Sequence, residues 1–273
     1  MMKRFTVLMV CAAVFCVRGA AQPPAPPTGA TVSDEVFTAA CDGTEQRYVL
    51  VVPGGFDAAR PHDALVALHG HGSDRWQFVR DERDECRAAR DAAAKRGMLF
   101  VSPDYRAKTS WMGPKAEADL AQIIAELREK HGADRVFLCG GSMGASSALT
   151  FAARHPELVA GVAAMNGTAN HLEYDQFQDA IAESFGGAKR DIPEEYKNRS
   201  AEYFPERLTM PAGLTTGGAD TVVPPASVLR LAAVLKTLGR PVLLIHRAEG
   251  GHSTTYGDAE AVLDFALGGG VEK

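Results

Sequence analysis

The chain has 273 residues, of which 46% are hydrophobic and 23% are charged, and its formal net charge is −5 at pH 7. This is the composition of an ordinary globular protein, and the length is sufficient for one large hydrophobic core. The acidic balance makes nucleic acid and anionic membranes poor partners. The sequence therefore predicts no nucleic-acid partner.

The first 21 residues are predicted to be a secretory signal peptide. Lys3 and Arg4 precede an apolar run over residues 5–17, and small residues follow that run. The run is too short to span a bilayer, so we expect a secreted or periplasmic protein without a stable membrane anchor. Removal of this segment takes away the three basic residues Lys3, Arg4 and Arg18, which changes the net charge from −5 to −8.

Residues 22–30 are rich in proline and are predicted to be an extended spacer before one main domain at 31–273. Three cysteines follow the predicted signal peptide. Export permits a disulfide, and Cys41 with Cys86 is the pair that we consider, without deciding whether it forms. Cys139 is expected to be a buried free thiol. No cysteine spacing resembles a zinc site, so no metal is expected.

Strands and helices alternate along the main domain. The first two strands are expected to pair antiparallel, and the others to form a parallel sheet that is covered on both faces by helices. Short apolar runs predict eight strands, at 31–39, 46–52, 64–68, 98–101, 136–139, 159–165, 211–215 and 242–245. Longer amphipathic or charged stretches predict helices at 81–96, 115–130, 143–155, 228–238 and 258–267.

The fifth strand runs into a Gly-x-Ser-x-Gly pattern formed by Gly140, Ser142 and Gly144. A serine at such a sharp strand-to-helix turn needs small residues two positions before and after it, because strand and helix approach closely there. The N-terminus of the following helix offers free N–H groups and a partial positive charge to a developing oxyanion. The pattern predicts Ser142 as a catalytic nucleophile.

These motifs resemble those of the α/β-hydrolase superfamily. Within it, the chain is most similar to secreted, single-domain carboxylesterases of the acetyl/feruloyl esterase and polyhydroxyalkanoate depolymerase kind, with kinship to dienelactone hydrolase and prolyl-oligopeptidase catalytic domains. The resemblance covers residues 48–267. It implies an α/β-hydrolase fold with a mostly parallel central sheet, helices on both faces and a cap insertion after the sixth strand, for which residues 166–208 are the match.

The family order of nucleophile, acid and histidine assigns the remaining catalytic residues by resemblance. Asp220 follows a glycine turn after the seventh strand and matches the acid, and His252 follows two glycines after the last strand and matches the base. The loop after the third strand implies an oxyanion hole formed by the backbone N–H groups of His71 and Met143. The side chain of His71 is left open between substrate contact and solvation.

Specificity residues are less well defined. Trp111 lies in a loop after the fourth strand, where a flat aromatic ring suits stacking on a sugar; the alternative is a loop anchor packed on the sheet. His171 and Tyr174, in the predicted cap, are weaker candidates for substrate contacts.

The predicted function is hydrolysis of carboxylic esters through a Ser-His-Asp triad and an acyl-enzyme, without metal or organic cofactor. Family likeness, export and Trp111 favour an acetyl or feruloyl ester on carbohydrate, so the expected partner is a polysaccharide-linked ester. One alternative is a prolyl-oligopeptidase-like exopeptidase, although such enzymes usually carry a large N-terminal gating domain that we do not expect here. Another is a non-catalytic binding protein that retains the fold, which the intact triad residues argue against. The oligomeric state is not predicted.

Overall fold

The structure, a computed structural model, describes residues 29–57, 59–106 and 108–268, and within them the eight predicted strands form a single sheet. The strand order is β1-β2-β4-β3-β5-β6-β7-β8; β1 pairs with β2 and β2 with β4 antiparallel, and every other pair is parallel. The strands are β1 Thr31–Thr38, β2 Glu45–Val52, β3 His62–Leu68, β4 Leu99–Pro103, β5 Ala133–Gly141, β6 Gly161–Met165, β7 Ala212–Gly217 and β8 Val242–Arg247. The predicted α/β-hydrolase architecture is confirmed.

Eight helices connect or follow the strands in the described part of the chain: α1 Gln77–Arg80, α2 Asp84–Lys95, α3 Pro114–His131, α4 Met143–Arg154, α5 Gln178–Phe185, α6 Pro193–Asn198, α7 Ala226–Thr237 and α8 Tyr256–Ala266. The helix predicted at 81–96 corresponds to α2, which begins only at Asp84, and the short helix α1 precedes the predicted range. Asp81 and Arg83 between them have extended backbones, with ψ angles of 139° and 144°. The Asp81 carboxylate accepts a hydrogen bond from the Arg83 N–H, which stabilises the break.

Apolar side chains fill a layer on each face of the sheet. Successive residues of a strand point to opposite faces, and in β3 Val66 and Leu68 lie in one layer while Leu65 and Ala67 lie in the other. Helices α3, α4 and α7 cover the first layer, and α2 and α8 cover the second. This double burial explains why the central strands are continuous apolar runs in the sequence.

The segment 166–208, predicted as a cap, lies between β6 and β7. It contains α5, α6 and two short 3-10 helices, Ala201–Tyr203 and Pro205–Arg207. These elements contact α3, α4 and α7 on one side of the sheet. The signal peptide predicted at residues 1–21 lies outside the described residues. None of the helices in the described ranges has the length and apolar composition needed to cross a membrane.

Cys41 and Cys86 do not form the disulfide that we considered. Cys86 is buried in the layer under α2 and α8, whereas Cys41 is exposed and accepts a hydrogen bond from the Arg106 guanidinium at 2.9 Å, beside Asp119 of α3. The two thiols therefore belong to different sides of the sheet. Cys139 is the buried free thiol that the sequence predicts, and burial raises the pKa of its thiol.

Candidate active site

Ser142 occupies the turn between β5 and α4 with a strained backbone. Its φ is 57° and its ψ is −121°, a combination that non-glycine residues rarely adopt. A Cβ atom on Gly140 would lie 2.4 Å from the backbone carbon of Gly144, and one on Gly144 would lie 1.9 Å from the carbonyl oxygen of Leu68. Only glycine fits at both positions, which is the steric requirement that the sequence pattern implies.

The three residues predicted as the triad lie within hydrogen-bonding distance of one another. His252 Nε2 is 2.9 Å from Ser142 Oγ, and His252 Nδ1 is 2.7 Å from Asp220 Oδ2. The other carboxylate oxygen, Asp220 Oδ1, accepts hydrogen bonds from the N–H groups of Val222 and Val223, both at 2.9 Å. The carboxylate is thus held in one orientation, and His252 can accept a proton from the serine while its other nitrogen donates to Asp220.

The loops that carry the aspartate and the histidine pack backbone against backbone. A Cβ atom on Gly217 would lie 2.3 Å from the carbonyl oxygen of Gly251, and one on Gly218 would lie 2.3 Å from that of Ala248. No side chain separates the two loops at these points. The glycines before the acid therefore allow the approach that brings the acid and the base together.

Asn166 follows β6 and links the histidine loop to the sheet, a role that no sequence motif predicted. Its Nδ2 donates to the carbonyl oxygen of Gly251 at 3.2 Å, and its Oδ1 accepts hydrogen bonds from Thr215 Oγ1 at 3.0 Å and Thr254 Oγ1 at 2.5 Å. Gly251 and Thr254 flank His252 in the chain. The signal that could have revealed this residue is an Asn-Gly pair directly after a buried strand, since asparagine tolerates the positive φ of 55° found here.

The predicted oxyanion donors lie next to the nucleophile. Met143 is the first residue of α4, so its N–H belongs to the helix-terminal donors without an intrahelical acceptor. His71 follows Gly70, which lies beside the nucleophile, since a Cβ atom on Gly70 would be 3.9 Å from Ser142 Cβ. The N–H of Gly70 donates a hydrogen bond to Gln77 Oε1 at 2.7 Å. Their role in binding an oxyanion stays a prediction.

Trp111 is not available for stacking on a sugar. Its side chain is 0% exposed, its Nε1 donates to His71 Nδ1 at 3.1 Å, and its ring packs against Tyr174 and Phe177 with centroids 5.5 and 5.7 Å away. Stacking on a substrate needs an open ring face, and this ring is enclosed. The geometry corresponds to the alternative expectation, a loop anchor.

His171 and Tyr174 are also buried rather than presented to a substrate. The imidazole of His171 lies 3.4 Å from Thr150 Oγ1, and its burial, together with the nearby charge of Arg199, lowers the pKa of His171 to about 3. The hydroxyl of Tyr174 donates to the carbonyl oxygen of Val222 in the acid loop at 3.1 Å. Both side chains support the walls of the site, in contrast to the expected substrate contacts.

A small cleft opens beside Ser142 on the side of α1 and α2, with a volume of about 60 Å³. Its lining includes six side chains for which the sequence predicts no contact with substrate: Gln77, Phe78, Arg83, Glu85, Met165 and Thr254. No cluster of three or more His, Cys, Asp or Glu side chains that could hold a metal ion occurs within residues 29–57, 59–106 and 108–268.

The chain order of serine, aspartate and histidine, on a sheet of this topology, defines a serine hydrolase of the α/β-hydrolase type. The comparison with protein families narrows this class. The model of the prolyl oligopeptidase family matches residues 91–266, which include the elbow, the acid and the histidine, and the chain belongs to that family.

The individual relatives are hydrolases that are named after different substrates. A 2-hydroxy-6-oxononadienedioate/2-hydroxy-6-oxononatrienedioate hydrolase from Burkholderia vietnamiensis is 30% identical over 137 residues, which cover 46% of each chain, so the match spans about half the length of that relative. The structure of an S-formylglutathione hydrolase from Agrobacterium tumefaciens superimposes with a TM-score of 0.68 at 17% identity, covering 90% of this chain and 96% of the other. A puromycin hydrolase gives 0.69 at 21% identity, covering 86% of this chain and 38% of the other. At these identities the two structures show a shared fold.

Proposed function

We propose that the protein is a serine esterase that cleaves carboxylic esters with a short acyl chain through an acyl-enzyme on Ser142. The observation that carries the proposal is the alignment of Ser142, His252 and Asp220, with distances of 2.9 and 2.7 Å. Esters are the substrates for which this triad suffices by itself, because an alkoxide leaves more readily than an amide nitrogen and demands less of the general acid.

The proposed reaction begins when Ser142 Oγ attacks the ester carbonyl while His252 Nε2 takes its proton. Asp220 stabilises the imidazolium that forms, and the backbone N–H groups of His71 and Met143 bind the oxyanion of the tetrahedral intermediate. His252 then gives its proton to the leaving alcohol, and the acyl group stays on Ser142. A water molecule, deprotonated by His252, releases the acid by the same two steps.

The size of the cleft favours a small acyl group. Its volume of about 60 Å³ is far below the roughly 300–1,000 Å³ of sites that enclose drug-sized ligands. An acetyl group suits this space better than a feruloyl group, which adds an aromatic ring. We keep a carbohydrate as the alcohol part of the ester because of the family likeness and the predicted export. Trp111 no longer supports it, because the buried ring cannot stack on a sugar.

Family membership favours a second candidate, a serine exopeptidase. The same triad can cleave an amide if His252 protonates the leaving amine, and the prolyl oligopeptidase family model covers the whole triad. The two candidates share the acyl-enzyme and differ in the leaving group. An amide substrate therefore distinguishes them.

The test uses the purified protein, its Ser142→Ala variant, and Ser33→Ala as a matched control on the edge strand β1. We expect a fluorophosphonate probe to label the parent protein and Ser33→Ala but not Ser142→Ala. Rates on 4-nitrophenyl acetate and butyrate, methyl ferulate, acetylated xylan and a Gly-Pro anilide then rank the substrates, with the acetyl esters fastest.

Turnover of the anilide alone would favour the exopeptidase. A folded parent protein that is neither labelled nor active on any of these substrates would refute the enzyme proposal and leave the non-catalytic binding protein.

A further inference from the structure

We propose that Glu85 makes the cleft beside Ser142 selective for acyl groups that carry a positive charge, such as the α-ammonium group of an aminoacyl ester. The inference rests on the proposed acyl-enzyme at Ser142 and names a charge preference for the same site.

The side chain of Glu85 lies beside the nucleophile. Glu85 is in the first turn of α2, and a Cβ atom on Gly141, the residue before Ser142, would lie 3.6 Å from Glu85 Cγ and 3.8 Å from Glu85 Oε1. The α-nitrogen of an aminoacyl group is two bonds from the carbonyl carbon that Ser142 attacks. A charged nitrogen at that position can thus reach the carboxylate.

The carboxylate of Glu85 lacks a strong partner. The side chain is only 17% exposed, and it accepts no hydrogen bond from any residue that the structure describes. The nearest cationic atom, Arg83 Nη1, is 3.8 Å away, which is beyond hydrogen-bonding distance. The carboxylate oxygens still reach the solvent in the cleft, where they are available to a charged donor. The missing donor is what a substrate ammonium group supplies.

The neighbouring charges leave Glu85 as the source of negative charge in this cleft. The side chain of Arg83 is 54% exposed and already pairs with Asp81. Nε and Nη2 of Arg83 lie 2.9 and 2.8 Å from Asp81 Oδ2. Asp220 is engaged by His252 and by backbone N–H groups.

The experiment compares two substrates of nearly equal shape, glycine 4-nitrophenyl ester and 4-nitrophenyl propionate, after subtraction of spontaneous hydrolysis. The ammonium group activates the glycyl ester chemically, so the measured quantity is the ratio of kcat/KM for glycyl to propionyl in each variant. We expect Glu85→Gln to lower this ratio about tenfold, the effect of losing one charge-assisted hydrogen bond.

Glu82→Gln is the matched control, because Glu82 precedes α2 by two residues, is 65% exposed and pairs with Arg90 instead of lining the cleft. Glu85→Asp, which keeps the charge, is expected to retain part of the preference. The ratio in the unmodified protein should also fall as the pH rises through the pKa of the substrate amine, about 7.7–8.0 for an α-amino group, and by more than the same ratio falls for spontaneous hydrolysis. This excess is the readout if Glu85→Gln does not fold.

An unchanged ratio in Glu85→Gln, with propionyl turnover intact, would overturn the role of Glu85 and leave the esterase proposal standing. A preference for the anionic 4-nitrophenyl hemisuccinate that is lost in Arg83→Gln would assign the charge selection to Arg83 and also overturn the inference. Failure of the unmodified protein to cleave either the glycyl or the propionyl ester would contradict the esterase proposal itself, and the inference with it.

Discussion

The indole Nε1 of Trp111 donates a hydrogen bond to Nδ1 of His71 at a distance of 3.1 Å. The bond requires Nδ1 to be an acceptor, so the hydrogen of the neutral imidazole is on Nε2. Burial lowers the pKa of His71, which favours this neutral form. Trp111, which we expected to bind substrate, is therefore buried and orients His71, whose backbone N–H is a proposed oxyanion donor.

Trp111→Phe should therefore reduce both stability and turnover. The smaller ring leaves space in a fully buried site, which is expected to lower the free energy of unfolding by about 1–3 kcal/mol. Loss of the bond to His71 should lower kcat about three- to tenfold, an effect of about 1 kcal/mol. Denaturant unfolding and ester kinetics measure the two effects.

The control for this variant is Trp76→Phe, because Trp76 is only partly buried and lies under the Arg80 guanidinium outside the apolar layers. Equal losses in the two variants would show that the burial and the hydrogen bond of Trp111 have no special effect.

Asn166→Ala should impair catalysis more than substrate binding. The change removes two hydrogen bonds to the loop of His252 and one to Thr215 of β7, so we expect kcat to fall about tenfold or more with little change in KM. Asn198→Ala, at the exposed end of α6, is the control.

The pH profile separates a positioning role of Asn166 from a purely structural one. Asn166→Asp places a negative charge near His252, which stabilises the imidazolium form relative to the neutral imidazole. The acidic limb of the kcat/KM profile should move to higher pH. If the limb does not move although the variant is folded and active, Asn166 does not act on the histidine.

The stability of the protein should decrease between pH 6.5 and 4.5 because of its buried histidines. Burial lowers the pKa of His171 to about 3, whereas the histidine of an unfolded chain has a pKa of about 6.5. Below pH 6.5 the unfolded state binds a proton that the folded state does not, so each pH unit of acidification costs about 1.4 kcal/mol for this group. His69 and His71, whose pKa values burial also lowers, act in the same direction.

His171→Leu should therefore show a shallower dependence of the unfolding free energy on pH across this window. His131→Gln, at the end of α3 and outside the core, should leave the dependence as it is. Urea unfolding at several pH values measures both. A slope in His171→Leu equal to that of the unmodified protein would show that His171 does not change its protonation on unfolding.

Gly144→Ala should be strongly destabilising. The added carbon would lie 1.9 Å from the carbonyl oxygen of Leu68, and only a backbone shift can relieve this clash, so we expect a loss of about 3 kcal/mol or more. Gly257→Ala is the matched variant in the first turn of α8, where a Cβ atom meets open space; it should stabilise by about 0.5–1 kcal/mol. Thermal unfolding of both variants is the measurement, and equal effects would contradict the close packing of elbow and β3.

The architecture and the three triad residues were predictable because their signals are local. Buried parallel strands appear as short apolar runs, and the elbow and the acid loop each contain glycines that the backbone geometry requires. The single helix predicted at 81–96 was wrong in its start, since the charge pattern does not show that the Asp81 carboxylate caps a turn.

The remaining features of the site depend on contacts between distant segments. Asn166 acts through Thr215 and Thr254, which come from β7 and from the loop after β8. The burial of Trp111 depends on Tyr174 and Phe177 of the segment after β6. No pattern within a single segment carries this information, because each side chain acquires its role only when the sheet assembles.

The backbone contact between the acid loop and the histidine loop also bears on how the protein can diversify. Since Gly217 and Gly218 meet the facing loop directly, the separation of acid and base is set by main-chain atoms that every sequence shares. Cleft residues such as Arg83 and Glu85 come from a different connection, the one between β3 and β4. Substrate preference can therefore be altered by mutation on one side of the nucleophile while the proton-transfer pair on the other keeps its geometry.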